Sequence, residues 1–161
     1  MPRTRITPDE TPSGHLLEAS LHGIIGYQLA QAAVVTDALF VREVGSPHEL
    51  RQVEYTVLQL IAANPGCSSV RLAKALAVTK PNITMWVDRL VARGLVRRSP
   101  SATDKRSQEL CATDEGAALA ARATEAILGA ERRELATLSA AERAILVELL
   151  HKLACGQRPV T

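Results

Sequence analysis

Between Ser68 and Gly94 the chain has room for two short helices and almost nothing between them. Leu72, Ala73 and Leu76 mark the inward face of a helix running from about Ser68 to Leu76. Ile83, Val87, Leu90 and Val91 mark the inward face of a second, from Lys80 to about Arg93. Only Ala77-Val78-Thr79 separates them. Thr79 is a suitable N-cap and Gly94 suits the position after the helix end. Two helices joined by so tight a turn must cross at a steep angle, which is the helix-turn-helix arrangement.

Charge singles out the same stretch. From Gly66 to Arg106 there are nine basic residues and two acids, a balance of 9 − 2 = +7; the whole chain carries +2, so the remainder carries +2 − 7 = −5. A basic middle segment between acidic ends is the electrostatic footprint of a module that binds a polyanion.

The elements around this pair complete a mainly α fold. Aromatics are 2% against 47% hydrophobic residues, so the interior must be built from aliphatic side chains on packed helices. From about Gly14 to Val44 apolar residues follow helical spacing on two lines. Leu17, Leu21, Ile24 and Val35 lie on one, and Ile25, Leu29 and Phe40 on the other. Ser46-Pro47-His48-Glu49 reads as a capping box opening a helix with Leu50, Val53, Val57 and Ile61 inward, and Asn64-Pro65-Gly66 stops it. After Gly94, Leu95 to Arg98 and Arg106 to Cys111 read as the strands of a hairpin with a long polar tip, a wing. Thr113-Asp114-Glu115 caps a helix to about Leu135. Ser139-Ala140-Ala141-Glu142 is a second capping box, opening a last helix through Ile145, Leu146, Leu149, Leu150 and Leu153.

The expected organisation is a flexible tail over 1–13, a helical dimerisation region over 14–45 and 113–155, a winged helix-turn-helix over 46–112, and a tail from 156. The first and last helices each carry more apolar surface than one partner would cover, which predicts a homodimer. No apolar stretch suits a signal peptide or a membrane span, so a reducing cytoplasm is the expected location.

In a helix-turn-helix the second helix enters the major groove. With its core face fixed, Lys80, Pro81, Asn82, Thr84, Met85 and Arg89 point to the groove. Asn82 can pair with adenine through two hydrogen bonds, Thr84 can donate or accept, and Met85 can touch a thymine methyl. Lys80 and Arg89 suit phosphates, as do Ser68 and Ser69 at the preceding helix start. Arg97 and Arg98 add positive charge to the first wing strand. At the tip, Thr103-Asp104-Lys105-Arg106 places an Arg where it can enter the minor groove, held extended by a nearby carboxylate.

The run LAKALAVTKPNITMWVDRLVARGLVRRSPSATDKRSQELCATDEG resembles the core of the MarR (multiple antibiotic resistance regulator) family. The matching pieces are LAKAL, a Thr-x-Pro helix start, VDRLVARGLVRR, the wing D-x-R-S and an LxxTxEG helix start, and the flanking helices extend the likeness from about Gly14 to Cys155. The resemblance implies an obligate homodimer on pseudo-palindromic double-stranded DNA. It makes Asp104 and Arg106 the wing pair, Arg89 the groove-end contact, and Thr79, Lys80 and Pro81 the start of the recognition helix. Met85 and Trp86 depart from the Arg-Leu often found there, and Trp86, the only Trp, reads as core packing. The resemblance further implies a repressor released by a small, anionic or aromatic effector between the dimer helices and the DNA-binding lobe. His22, Tyr27, His48, Arg51 and Tyr55 lie on the two helices that would line such a cleft.

The three cysteines, Cys67, Cys111 and Cys155, form no CxxC pair, so no disulfide framework or zinc knuckle is expected. A thiol-based sensor is the alternative they leave open. Cys67 near a helix start could have a lowered pKa, but reads first as a small apolar filler. His151 and Cys155 share a helix face, yet two ligands do not make a zinc site, and no cofactor is expected. No catalytic constellation or phosphate loop has local support, which excludes the enzyme classes with recognisable motifs. A winged-helix protein-interaction module is the rival, and Lys80, Asn82, Arg89 and Arg106 argue against it.

Overall fold

The computed structural model describes residues 9–100 and 108–156. The chain divides into two compact units, one ending at Leu39 and one beginning at Phe40.

In the first unit the expected long helix is interrupted. Glu10 bridges Leu17, a 3-10 turn spans Ala19–Gly23, and α1 begins only at Ile25, running Ile25–Phe40. Gly14, His15 and Ala19 all have positive φ (81°, 51° and 47°), a conformation that no α-helix tolerates. Apolar periodicity carried across these residues, although Leu17, Leu21, Ile24 and Ile25 are exposed.

The second unit corrects the second expected helix. After a π-helical turn, Val41–Gly45, only three residues, Ser46–His48 (α2), are helical; Glu49 then turns left-handed, with φ +49°. Ser46 is itself helical and caps nothing. The helix that follows, α3, is Gln52–Ala63, and its first turn is closed by Glu54, whose carboxylate accepts the Arg51 amide at 3.0 Å. Leu50, Val57 and Ile61 are buried as expected, but Val53 is exposed and Leu58 takes its place in the core.

Helices α4 (Ser69–Ala75) and α5 (Lys80–Ala92) form the crossed pair, and β1 (Val96–Pro100) and β2 (Gln108–Ala112) form the hairpin. The strands are antiparallel, with Val96 opposite Ala112 and Pro100 opposite Gln108. Gly66 and Cys67 add a short third edge: the Gly66 amide donates to Leu110 O and the Leu110 amide to Cys67 O, both at 2.9 Å. The hairpin is thereby tied to the segment that starts α4. Helix α6 (Asp114–Glu134) is capped by Thr113, which accepts the Gly116 amide at 3.0 Å. Helix α7 (Ala140–Cys155) is capped by the expected Ser139–Glu142 box. One aliphatic core joins these pieces: Val57, Leu58 and Ile61 of α3, Leu72 of α4, Ile83, Val87 and Leu90 of α5, Leu110 of β2, and Ala120 and Ala123 of α6. Helix α7 buries no residue, and Ile145, Leu146, Val147, Leu149, Leu150 and Leu153 are all exposed. No helix among the described residues is long and apolar enough to cross a membrane.

Candidate nucleic-acid interface

The turn between α4 and α5 is made by Ala77 at φ +52°, with the Val78 amide donating to Ala73 O at 3.0 Å. That one left-handed residue redirects the chain, and Pro81 in the first turn of α5 costs no hydrogen bond because its amide would have none. Thr79 occupies the N-cap position with extended backbone, but its side chain makes no capping bond, contrary to the role expected for it.

Helix α5 sorts its residues as the periodicity predicts. Ile83, Val87 and Leu90 are buried, and Trp86 and Val91 pack partly against the core. Lys80, Pro81, Asn82, Thr84, Met85 and Arg89 are all exposed. Lys80, Pro81, Thr84, Met85, Asp88 and Arg89 line a depression of about 540 Å³. The Thr84 hydroxyl donates back to Lys80 O at 3.1 Å, which leaves its lone pairs as acceptors facing out. Ser68 spends its oxygen on the Arg71 amide (3.3 Å) as the α4 cap, and Ser69 is the first residue of α4.

Two ion pairs organise the charges around this face. Arg98 of β1 pairs with Asp88 of α5, linking the wing strand to the helix. Arg89 pairs with Glu54 of α3 at 3.1 Å, Glu54 being buried and Arg89 half exposed. Neither pairing is legible in the sequence, because neither contact is local in the chain. Arg97 is exposed on β1 opposite Cys111. Asp104, Lys105 and Arg106 lie outside the described residues.

The five effector candidates fall in different units. In the first, Glu18 is buried and gathers His22 Nδ1 (2.8 Å), the Tyr27 hydroxyl (3.1 Å) and Gln28 Nε2 (3.3 Å). The His22 hydrogen bond, against the opposing effect of desolvation, holds the Glu18 carboxyl below its ordinary pKa. Desolvation, with Glu18 adding to it, raises that of Tyr27. In the second unit His48 ends α2 and its carbonyl accepts from Arg93 (2.8 Å). Arg51 occupies the N-cap position of α3 and donates its amide to Glu54, and the Tyr55 hydroxyl meets Thr124 Oγ1 at 2.8 Å. Glu18 and Thr124, the residues that occupy the two tyrosines, carried no signal in the sequence beyond being polar.

All three cysteines are free. Cys67 is buried, and desolvation raises its thiol pKa, so it fills space as a protonated apolar group. Cys155 Sγ lies 3.5 Å from His151 Nε2 on exposed α7. No group of three or more potential metal ligands occurs among the described residues.

Two helices joined by a tight turn, the second with a polar exposed face, and an antiparallel hairpin after them make a winged helix-turn-helix. Residues 50–108 match the MarR family. The chain is 32% identical, over 95% of its length and 92% of the relative's, to a protein of Thauera aromatica named as a transcriptional regulatory protein for the hcr operon. The chain belongs to the MarR family, whose members are transcription factors and not enzymes. Among solved structures, the transcriptional repressor CouR bound to a 23-mer DNA duplex superposes with a TM-score of 0.79. It is 31% identical and covers 87% of this chain and 99% of its own. The PcaV regulator of Streptomyces coelicolor, in complex with its natural ligand, has a TM-score of 0.73. It is 26% identical and covers 85% of this chain and 96% of its own.

Proposed function

We propose that the protein is a cytoplasmic homodimeric repressor that reads a pseudo-palindromic operator with α5 and is released by a small anionic or aromatic effector. The observation that carries the DNA-reading part is the exposed row on α5. Asn82, Thr84 and Met85 offer base-edge contacts, and Lys80 and Arg89 flank them with positive charge. Ser68, Ser69, Thr79, Pro81, Arg97 and Arg98 suit the sugar–phosphate backbone, and Asp104, Lys105 and Arg106, outside the described residues, suit the adjoining minor groove. The likeness to a repressor on a DNA duplex supports this docking.

The dimer rests on the exposed aliphatic residues of α7, which a second copy would cover, bringing two α5 helices to successive half-sites. Release by an effector rests on the likeness to a ligand-bound regulator and on Arg51, a cation at the start of α3 beside Glu54 and Arg89. Membership of a family of DNA-binding regulators supports the cytoplasm, where the operator lies, as the site of action.

The test is an electrophoretic or anisotropy titration of a duplex selected by the full-length protein from a random-sequence library. Affinity should fall steeply and log-linearly with salt, with preference for a two-fold symmetric sequence. Binding that ignores salt, or selection of no duplex at all, would remove the reading.

A further inference from the structure

Glu54 stands apart in the DNA-binding unit as a buried acid, 5% exposed. Its two oxygens are both used. One accepts the Arg51 amide at 3.0 Å and so closes the first turn of α3; the other accepts Arg89 Nη1 at 3.1 Å. Among the described residues Arg89 is its one ion-pair partner. Arg89 sits at a boundary. It lines the depression on the outer face of α5 with Lys80 and Met85, and also lines a cavity of about 500 Å³ on the α3 side with Arg51, Glu54 and Arg93. Only Nη1 is engaged in the described structure, which leaves the rest of the guanidinium fork for the outer face. The neighbouring acid on α5, Asp88, is already held by Arg98.

We propose that Glu54 is a positioning residue for DNA binding: it fixes the Arg89 guanidinium so that its free N–H groups meet a phosphate at the end of the groove. Glu54 itself touches no DNA. The physical reason is preorganisation. A long Arg side chain on a helix surface samples many rotamers, and a buried carboxylate on a neighbouring helix confines it to one before the duplex arrives. The inference rests on the proposed docking of α5, through Arg89.

Simple charge counting predicts the opposite outcome, and this makes the test sharp. Replacing Glu54 by Gln adds one positive charge to the protein beside a polyanion, which by itself tightens binding. Loss of positioning weakens it. The E54Q substitution turns one carboxylate oxygen into an NH₂ group, so the side chain can no longer accept from both donors. Whichever donor the remaining oxygen takes, the negative charge that anchors Arg89 is lost while the side-chain volume is kept.

The experiment measures affinity for the library-selected duplex across a salt series, using full-length wild type, R89Q, E54Q, E54D and E54Q/R89Q, each checked for native circular dichroism. R89Q is expected to weaken binding about tenfold and to reduce the salt slope by about one phosphate's share. E54Q should reproduce most of both effects, and E54Q/R89Q should be no weaker than R89Q. E54D is the second route if E54Q fails to fold: it keeps the charge, withdraws the oxygen from Arg89 by one methylene, and should show the same loss. Unchanged or tighter binding by folded E54Q or E54D, with R89Q weakened, overturns the positioning role and leaves the docking of α5 intact. An unaffected R89Q overturns the Arg89 contact and the inference with it. A wild type that selects no duplex overturns the proposed function itself.

Discussion

Gly116 in the first turn of α6 lies against the Leu95 carbonyl so closely that a Cβ at Gly116 would stand 1.9 Å from the Leu95 oxygen. The same carbonyl accepts the Thr113 amide at 3.0 Å, and the Thr113 hydroxyl donates to Gly94 O at 2.7 Å. The start of α6 is thus locked onto the residues that lead from α5 into β1.

Gly116→Ala tests that lock. In most helices the change would stabilise by up to about 1 kcal/mol, because Gly is the poorer helix former. Here the intruding methyl meets backbone, which cannot rotate away. We expect a loss of about 3 kcal/mol in urea unfolding, the upper range for overpacking, with weakened DNA binding because β1 is displaced. Unchanged stability would show that the contact relaxes without cost.

Ala77→Gly should do the reverse. Ala77 adopts φ +52° in the helix-turn-helix corner, where a Cβ costs about 1–2 kcal/mol. Gly removes that strain and gives back about 0.5–1 kcal/mol through the entropy of the unfolded chain. The net expectation is a gain of about 0.5 kcal/mol in thermal unfolding, with DNA affinity unaltered. A fall in melting temperature would mean that the Cβ contributes packing that outweighs the strain.

Leu150→Glu is directed at the proposed dimer. Leu150 is 38% exposed on α7, within the aliphatic stripe of that helix. Burying a fully exposed leucine contributes about 1.5–3 kcal/mol and the partly covered Leu150 a fraction of that, and a glutamate there would bring a charge from each copy into the contact. Sedimentation at micromolar concentration should give a dimer for the wild type and a shift towards monomer for the variant. A wild type that sediments as a monomer contradicts the dimer.

Acidification should loosen α7 in a defined direction. Glu142 accepts the Ser139 amide at 2.7 Å, and the hydrogen bonds from Ser139 hold its carboxyl below the ordinary value of 4.5. A folded-state pKa below the unfolded one means the capping bond contributes fully above about pH 4.5 and is lost as pH falls through the lowered value. Glu142→Gln should therefore flatten the acid limb of the helical circular dichroism signal. A limb identical to wild type would remove the cap from the acid response.

Arg106→Ala, in the wing tip beyond the described residues, is expected to weaken operator binding by about 1–3 kcal/mol without unfolding the protein. Equal affinities in a titration would exclude the tip from the interface.

How much of this was legible in the sequence follows from how local each determinant is. Ser139 and Glu142 meet three residues apart, so their box could be read from four letters. The outward face of α5 followed from Ile83, Val87 and Leu90, because a helix repeats its faces every few residues whatever surrounds it. The same four-letter pattern at Ser46–Glu49 misled, since the π turn leads directly into Ser46, which is itself helical and not the residue before a helix start. What breaks the chain there is remote. Arg93, at the end of α5, donates to the carbonyls of His48 and Glu49 at 2.8 and 2.9 Å and holds Glu49 in its left-handed turn. The Glu54–Arg89 and Asp88–Arg98 pairs likewise join residues on different elements. The sequence by itself determined the helix pair, the outward face of α5 and the hairpin, all of which arise from short-range periodicity and capping. The tertiary structure alone decided where α2 ends and which carboxylate holds which arginine, because those depend on distances that exist only once the core has closed.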